Sequence, residues 1–298
     1  MSFKHFDALK KRVQGKRVKS IAVAAAEDAH ALASLKDLLV QIKVRYFLVG
    51  NREQIKQICQ DIAFDVEERW IVDAVDEVAS AAKAVALVAE GKADILMKGK
   101  LHTAILLKAV LHKETGIQTG GLISHLAVLE CPSYHKLMFL TDAAINPTPD
   151  LDKKRAMLEN TVSFMHQLGY ERPNVAALAA VETVSDRMPE TLDAAELAKQ
   201  NWDGEITGCY VEGPISFDLA VSRQAAAIKG FSSELVGEVD LFLMPNISSG
   251  NAMSKALLYL GGAKMAGCVL GAKVPIVLTS RGATAEEKFL SLLLAMAV

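Results

Sequence analysis

The sequence predicts an α/β protein of two domains built on mainly parallel sheets. Short apolar runs, each closed by a loop and followed by a longer pattern of helical period, recur along the chain, the mark of parallel strands joined by crossover helices. Polar, glycine-rich segments fall repeatedly after the carboxyl end of such a run, which is where open parallel sheets bind ligands. A length of 298 residues fits two such domains, or one large one.

Strands are expected at residues 21–25, 46–49, 95–97, 124–129, 137–140, 175–179, 206–211, 241–244 and 276–278, where short apolar runs rich in β-branched and aromatic residues occur. Residues 79–89 and 219–228 repeat their apolar positions with the helical period, and Asn51 after Gly50 has the chemistry of a helix cap. A last helix begins near Ala285, and no repeat, low-complexity tract or linker divides the chain.

Lys and Arg number 33 against 35 Asp and Glu, a net charge of -2, so there is no broad basic field for nucleic acid or anionic lipid. The opening residues, MSFKHFDALKKRVQGKRVKS, are basic and amphipathic but lack the long apolar stretch of a signal peptide or membrane span. They are expected to form the first helix of a cytoplasmic protein. The cysteines, Cys59, Cys131, Cys209 and Cys268, lie far apart with no metal-ligand spacing and are expected reduced and buried. Cys268, in the apolar run MAGCVLGA, reads as a small core side chain.

Five segments carry chemistry. In TSRG, residues 279–282, hydroxyls, amides and the Arg281 guanidinium surround a helix start after the apolar run VPIVL; unpaired N–H groups and a guanidinium fork suit phosphate. A plain cap with a solvated arginine explains the same residues. SSGN, residues 248–251, repeats the design, with Gly250 permitting close backbone approach and Asn251 leading into a helix; a turn with a cap fits equally. LMKGKLHT sets Lys98, Lys100, His102 and Thr103 around Gly99, a cationic, hydroxyl-bearing turn fitted to phosphate, although loop lysines are commonly just solvated. FLTDAAINP places Asp142 and Asn146 after an apolar strand, and VETVSDRMP gathers Glu182, Thr183, Ser185, Asp186 and Arg187; capping and surface ion pairs are the simple alternatives. Neither a dinucleotide fingerprint nor a Walker loop is present.

Taken in this order, LMKGKLHT, the ISH of residues 123–125, TDAAIN, SGN and TSRG resemble the phosphate acetyltransferase and phosphate butyryltransferase family, over essentially the chain from Ile21 to the C-terminus. LMKGKLHT and TDAAIN look closer to the butyryl branch. The resemblance implies two α/β domains related in fold to the isocitrate and isopropylmalate dehydrogenases, an active site in the interdomain cleft, and a homodimer formed largely through the second domain. The first domain would comprise residues 1–123 plus 267–298, and the second, inserted domain residues 124–266.

The same resemblance assigns catalytic roles to Ser280, Arg281 and Glu287, and substrate contacts to Lys98, Gly99, His102, Thr103, Asp142, Thr183, Gly250 and Asn251. Two departures stand out. Where the acetyl branch carries an aspartate as general base this chain has Glu287, with Glu286 adjacent, and the arginine that branch carries after its His-Ser/Thr turn is replaced by Leu107, beside Lys108. The implied reaction takes acyl-CoA and phosphate to acyl phosphate and free coenzyme A, with no bound cofactor or metal, and with a butyryl or branched acyl group preferred and acetyl possible. Three other readings stand beside it: a phosphate acetyltransferase proper, a metal-dependent dehydrogenase of the same fold, for which Asp186 and Asp193 are the carboxylates to consider, and a non-catalytic coenzyme A-binding protein.

Overall fold

A computed structural model describes residues 3–14, 17–280 and 282–298. The chain divides into two compact units: a flanking unit of Asp7–Gly121 with Ala266–Val298, and an inserted unit of Leu122–Met265 joined by the described residues 3–6. The flanking unit opens with α1 (Asp7–Val13), β1 (Ser20–Ala24), α2 (Ala29–Gln41), β2 (Arg45–Gly50), α3 (Arg52–Asp61), β3 (Ile71–Asp73), α4 (Glu77–Ala89), β4 (Ile95–Lys98) and α5 (Thr103–Val110). The inserted unit follows with β5 (Ser124–Glu130), β6 (Met138–Thr141), α6 (Leu151–Gln167), β7 (Asn174–Leu178), α7 (Pro189–Trp202), β8 (Tyr210–Ile215), α8 (Phe217–Val221), α9 (Arg223–Lys229), β9 (Leu241–Leu243) and α10 (Ile247–Tyr259). β10 (Lys264–Leu270) leads back to the flanking unit, which ends in β11 (Ile276–Val277) and α11 (Ala285–Met296).

In the flanking unit the strands run β3-β2-β1-β4-β11-β10. All neighbours are parallel except β10 and β11. Every residue of β1 and β4 is buried, as befits strands covered on both faces, whose sequences read as unbroken apolar runs. Asp28, Asn51 and Asp76 lie just past strand ends and cap α2, α3 and α4, each accepting a backbone N–H two or three residues into its helix. α11 is buried along nearly its whole length and packs on α2.

The inserted unit has the order β5-β6-β9-β7-β8, parallel from β6 onward and antiparallel between β5 and β6. Its core gathers Leu129, Leu140, Ile215, Leu219 and Phe242. Residues 3–6, expected with the first domain, belong here instead. Phe3 sets its ring edge-on to Tyr170 with centroids 5.7 Å apart, its carbonyl accepts from Leu137 N, and Phe6 N donates to Glu130.

Other boundaries differ for identifiable reasons. The strand expected at 206–211 runs Tyr210–Ile215, because the Asn201 side chain binds the carbonyls of Ile206 and Cys209 and commits 206–209 to a turn. The single helix expected at 219–228 is two, broken at Ser222, whose hydroxyl caps α9. β3 is a three-residue strand at the sheet's end, and β10 is the apolar run around Cys268, which is a strand as well as core.

Lys288 in α11 is buried and pairs with Asp28 Oδ2 at 3.1 Å. Burial acts to raise the Asp28 carboxyl, but the Lys288 ammonium and the Ala31 N–H outweigh it and hold the group below its ordinary value. A depressed folded pKa contributes stability above the unfolded value of about 4, and that stability is lost as the pH falls through the folded value. Asp28→Asn preserves a good cap and removes only the charge; it is expected to cost about 3 kcal/mol at pH 7 by leaving Lys288 unneutralised, and urea denaturation should show the deficit shrinking below about pH 4.

Candidate functional site

Parallel pairing gives each sheet a direction. In the flanking unit β1, β2, β3, β4 and β11 all end on one edge, so LMKGKLHT after β4 and TSRG after β11 belong to the same side of the sheet. In the inserted unit β6, β9, β7 and β8 end together, and antiparallel β5 begins there. That edge carries ISH, TDAAIN, the SSGN region and VETVSD.

The LMKGKLHT turn is laid over the end of β1. Gly99 N donates to Ala24 O at 2.9 Å and Lys100 N to Ala25 O at 2.8 Å, and a side chain at Gly99 would collide with the Ala25 carbonyl. Lys98 is a buried strand residue, its ammonium 3.4 Å from Gly99 O, so the solvated-lysine explanation holds for Lys100 and fails for Lys98. His102 stands at the N-cap position of α5, its backbone N held by Glu77 Oε2 at 3.1 Å, with its ring exposed and Thr103 opening the helix.

After β11, Ser280 is exposed, its hydroxyl 3.4 Å from Gly282 N. Arg281 lies outside the described residues. Glu287 forms a capping box: its carboxylate accepts from Thr284 N at 2.8 Å, and its own N donates to the Thr284 hydroxyl at 3.2 Å. The carboxylate singled out as a base therefore also holds the start of α11. Glu286, one residue earlier, is exposed.

On the inserted edge Asp142 is the hub. One oxygen accepts from Ala144 N at 2.7 Å and Ile145 N at 2.9 Å, the other from His125 N at 2.8 Å and Asn146 Nδ2 at 2.7 Å. Buried at 1% exposure and committed to four N–H groups, Asp142 orders the TDAAIN loop and has no surface of its own for a substrate. Gly250 and Asn251 serve the same loop. A Cβ at Gly250 would lie 2.5 Å from Asp142 O, and Asn251 Nδ2 donates to Ala143 O at 3.2 Å. The expectation that SSGN is a loop before a helix is corrected: Asn246 caps α10, and Ser248 to Asn251 form its first turn. Thr183 is exposed on the loop after β7.

Three features carry no sequence motif for their state. Glu27 packs over Gly50 with one carboxylate oxygen accepting from Asn51 N, while Oε2 is buried without a partner among the described residues. Glu182 accepts from the Ser216 hydroxyl and pairs with Lys229 at 3.2 Å; the hydroxyl first, then the ammonium, hold its carboxyl below the ordinary value. His125 is buried beside Asp142 with Nδ1 unpartnered among the described residues. The cysteines are free and buried, and burial pushes the Cys268 thiol up to about 12, which suits packing and opposes thiolate chemistry.

Two α/β units whose polar turns gather at the carboxyl ends of parallel strands define a two-domain α/β fold of the dehydrogenase-like kind. A 4-hydroxythreonine-4-phosphate dehydrogenase from Klebsiella pneumoniae shares that fold, with a TM-score of 0.59 at 14% identity, over 94% of this chain and 100% of that one. Residues 74–296 match the phosphate acetyl/butaryl transferase family. A phosphate butyryltransferase from Clostridium acetobutylicum is 42% identical over 295 residues, 99% of this chain and 98% of that protein. The crystal structure of a branched-chain phosphotransacylase from Enterococcus faecalis V583 superposes with a TM-score of 0.83 at 33% identity, over 94% of this chain and 98% of that one. The chain belongs to the phosphate acetyl/butaryl transferase family, a family of acyltransferases.

Asp142→Asn replaces one of two double acceptors with an NH2 group facing N–H donors. The variant is expected to lose about 3 kcal/mol or more in urea denaturation, the cost of stranding buried donors that had been bonded to a charged group.

Proposed function

We propose that this chain transfers a short acyl group reversibly between coenzyme A and inorganic phosphate. The full-length likeness to a phosphate butyryltransferase carries the reading, and the turn that joins buried Lys98 to the start of α5 supplies an anion-binding geometry consistent with it. Phosphate is held by Lys98, Gly99, His102 and Thr103, and Arg281 offsets charge that develops during transfer. Ser280 positions substrate rather than attacking it, since among the described residues the partner of its hydroxyl is a backbone N–H and not a base. Glu287 removes the thiol proton of coenzyme A when acyl phosphate is the donor: a thiol of pKa about 8.5 is mostly protonated at neutral pH. Thr183, Gly250 and Asn251 belong to the substrate-side surface of the inserted unit, the last two by shaping the Asp142 loop.

The enzyme acts in the cytoplasm as a homodimer through its inserted unit, and needs no resident cofactor or metal. No helix among the described residues is long and apolar enough to cross a membrane. The dehydrogenase alternative asks Asp193 to bind a cation, yet that carboxylate already pairs with buried Lys154 at 2.7 Å.

Glu287→Gln keeps an acceptor for Thr284 N, so its melting temperature should stay near that of the wild type while turnover falls by about a hundredfold; Glu286→Gln should retain both. Full activity in Glu287→Gln across the pH range would remove the carboxylate from the proton transfer. Steady-state kinetics with acetyl-, propionyl-, butyryl- and isobutyryl-CoA at fixed phosphate, following thiol release, should give the highest kcat/KM with butyryl or isobutyryl, each methylene being worth about 1–3 kcal/mol in a fitted pocket. Highest kcat/KM with acetyl-CoA would place the enzyme with the acetyltransferases. Binding without turnover would make it a coenzyme A-binding protein.

A further inference from the structure

Within the flanking unit α4 and α5 follow β3 and β4, strands of one parallel set, so both helices start at the edge where those strands end and run back side by side. Between them lies a groove of about 380 Å3, a size within the small-molecule range. α4 turns Val78, Ala82 and Val85 to it, and α5 turns Ile105 and Ala109, positions spaced to form one face of each helix. Val85, 2% exposed, is its floor, and the short side chains of Ala82 and Ala109 give it width.

The polar lining stands where α5 ends. Lys108 is in its last turn, and His112 and Thr115 follow just beyond. The neighbours of Lys108 one turn away, Ala104, Ile105, Leu111 and His112, include no carboxylate to neutralise it. His112 Nδ1 accepts from Thr115 N at 3.3 Å and lies 2.9 Å from the Thr115 hydroxyl, which leaves the ring hydrogen on Nε2. Bare carbonyls at a helix end repel an anion, but those of Leu107, Ala109 and Val110 accept from the backbone N–H groups of Leu111, His112 and Ile117. Of the nearby acidic side chains, Glu114 lies with Lys113 in a neighbouring hollow that shares Lys108 and His112 with the groove, and Glu77, in the first turn of α4, is bonded to His102 N.

We infer that this groove is a binding site for a medium-chain carboxylate, whose head meets Lys108 and His112 and whose chain runs toward Val78 and Ile105. An ammonium and an imidazole N–H are the donors that the two oxygens of a single carboxylate require. Val78 to Val85 and Ile105 to His112 each advance seven residues, about 10 Å along a helix. A zigzag chain of roughly eight carbons, at about 1.5 Å per bond, spans that length. Burial of the chain supplies the affinity and the two donors fix its direction. None of the lining residues belongs to the turn that holds phosphate, so the site is an addition to the acyl-transfer reading and does not depend on it.

Isothermal titration of the full chain with butyrate, hexanoate, octanoate and decanoate tests the site. Affinity is expected to rise about threefold per added methylene and to level off near eight carbons, and octylamine, of the same shape with a cationic head, is expected not to bind. Ala82→Leu places a good helix former at an exposed position and narrows the groove; it should weaken octanoate about thirtyfold, the loss of about three buried methylenes. Lys108→Met keeps the stem without the charge and should weaken octanoate about tenfold while leaving octanol binding unchanged. No binding of octanoate, binding of octylamine as tight as that of octanoate, or unchanged octanoate affinity in a folded Ala82→Leu protein overturns the assignment. Should Ala82→Leu fail to fold, Lys108→Met decides, and unchanged octanoate affinity there overturns it. Turnover with butyryl-CoA should stay within about twofold of the wild type in Lys108→Met; a raised KM for the thioester, with octanoate displaced by free coenzyme A, makes the groove part of the coenzyme site and overturns the assignment to a carboxylate. The titration needs no turnover, so an inactive protein that binds octanoate in this pattern overturns the acyl-transfer reading alone.

Discussion

The one-way run of hydrogen bonds in each parallel sheet governs where everything polar in this protein can go. A parallel strand must return to its starting edge through a crossover, so all strand ends collect on one side, and the strands themselves are buried on both faces. β1 and β4 show the consequence, with no exposed residue in either. Polar side chains have little room within such strands and appear at their ends, where they meet the unpaired N–H groups of the next helix. Asp28, Asn51, Asp76 and Thr284 use those groups for capping; the turn after β4 leads into α5 without a side-chain cap.

The buried charges follow the same economy. Lys288 and Asp28 join α11 to the start of α2, and Asp142 gathers four N–H groups into a single loop. Neither arrangement is free of desolvation cost, and each is tolerable because every charge has a partner. What they provide is position: Lys288 is adjacent to Glu287, and Asp142 is bonded to the backbone of His125. In both places a fully committed charge fixes the backbone that carries a neighbouring polar side chain.

Much of this was legible in sequence, for a physical reason. Apolar runs reveal both-face burial, and the glycine in LMKGKLHT and the one in SGN mark close approaches that the structure contains at Gly99 and Gly250. What sequence does not carry is the identity of a long-range partner. Lys98 reads as a loop cation until β4 is seen to bury it. The 206–211 run reads as a strand until Asn201 turns it. Asp142 reads as a ligand because nothing local reveals that its acceptors are spent on His125, seventeen positions earlier, and on its own loop. Glu27 and the His125 ring are recognisable only by a missing bond, and a missing bond has no sequence signature.

Each unit places a buried charge at the edge where its parallel strands end. At the flanking edge the charge is a cation, Lys98, whose ammonium lies 3.4 Å from the carbonyl of Gly99 in the turn that leads to α5. At the inserted edge it is a carboxylate, Asp142, whose two oxygens accept from four N–H groups. Burying a charge is costly unless hydrogen bonds meet it, and in both turns the groups that meet it come largely from the loop's own backbone, so the bonds that offset desolvation also fix the shape of the loop.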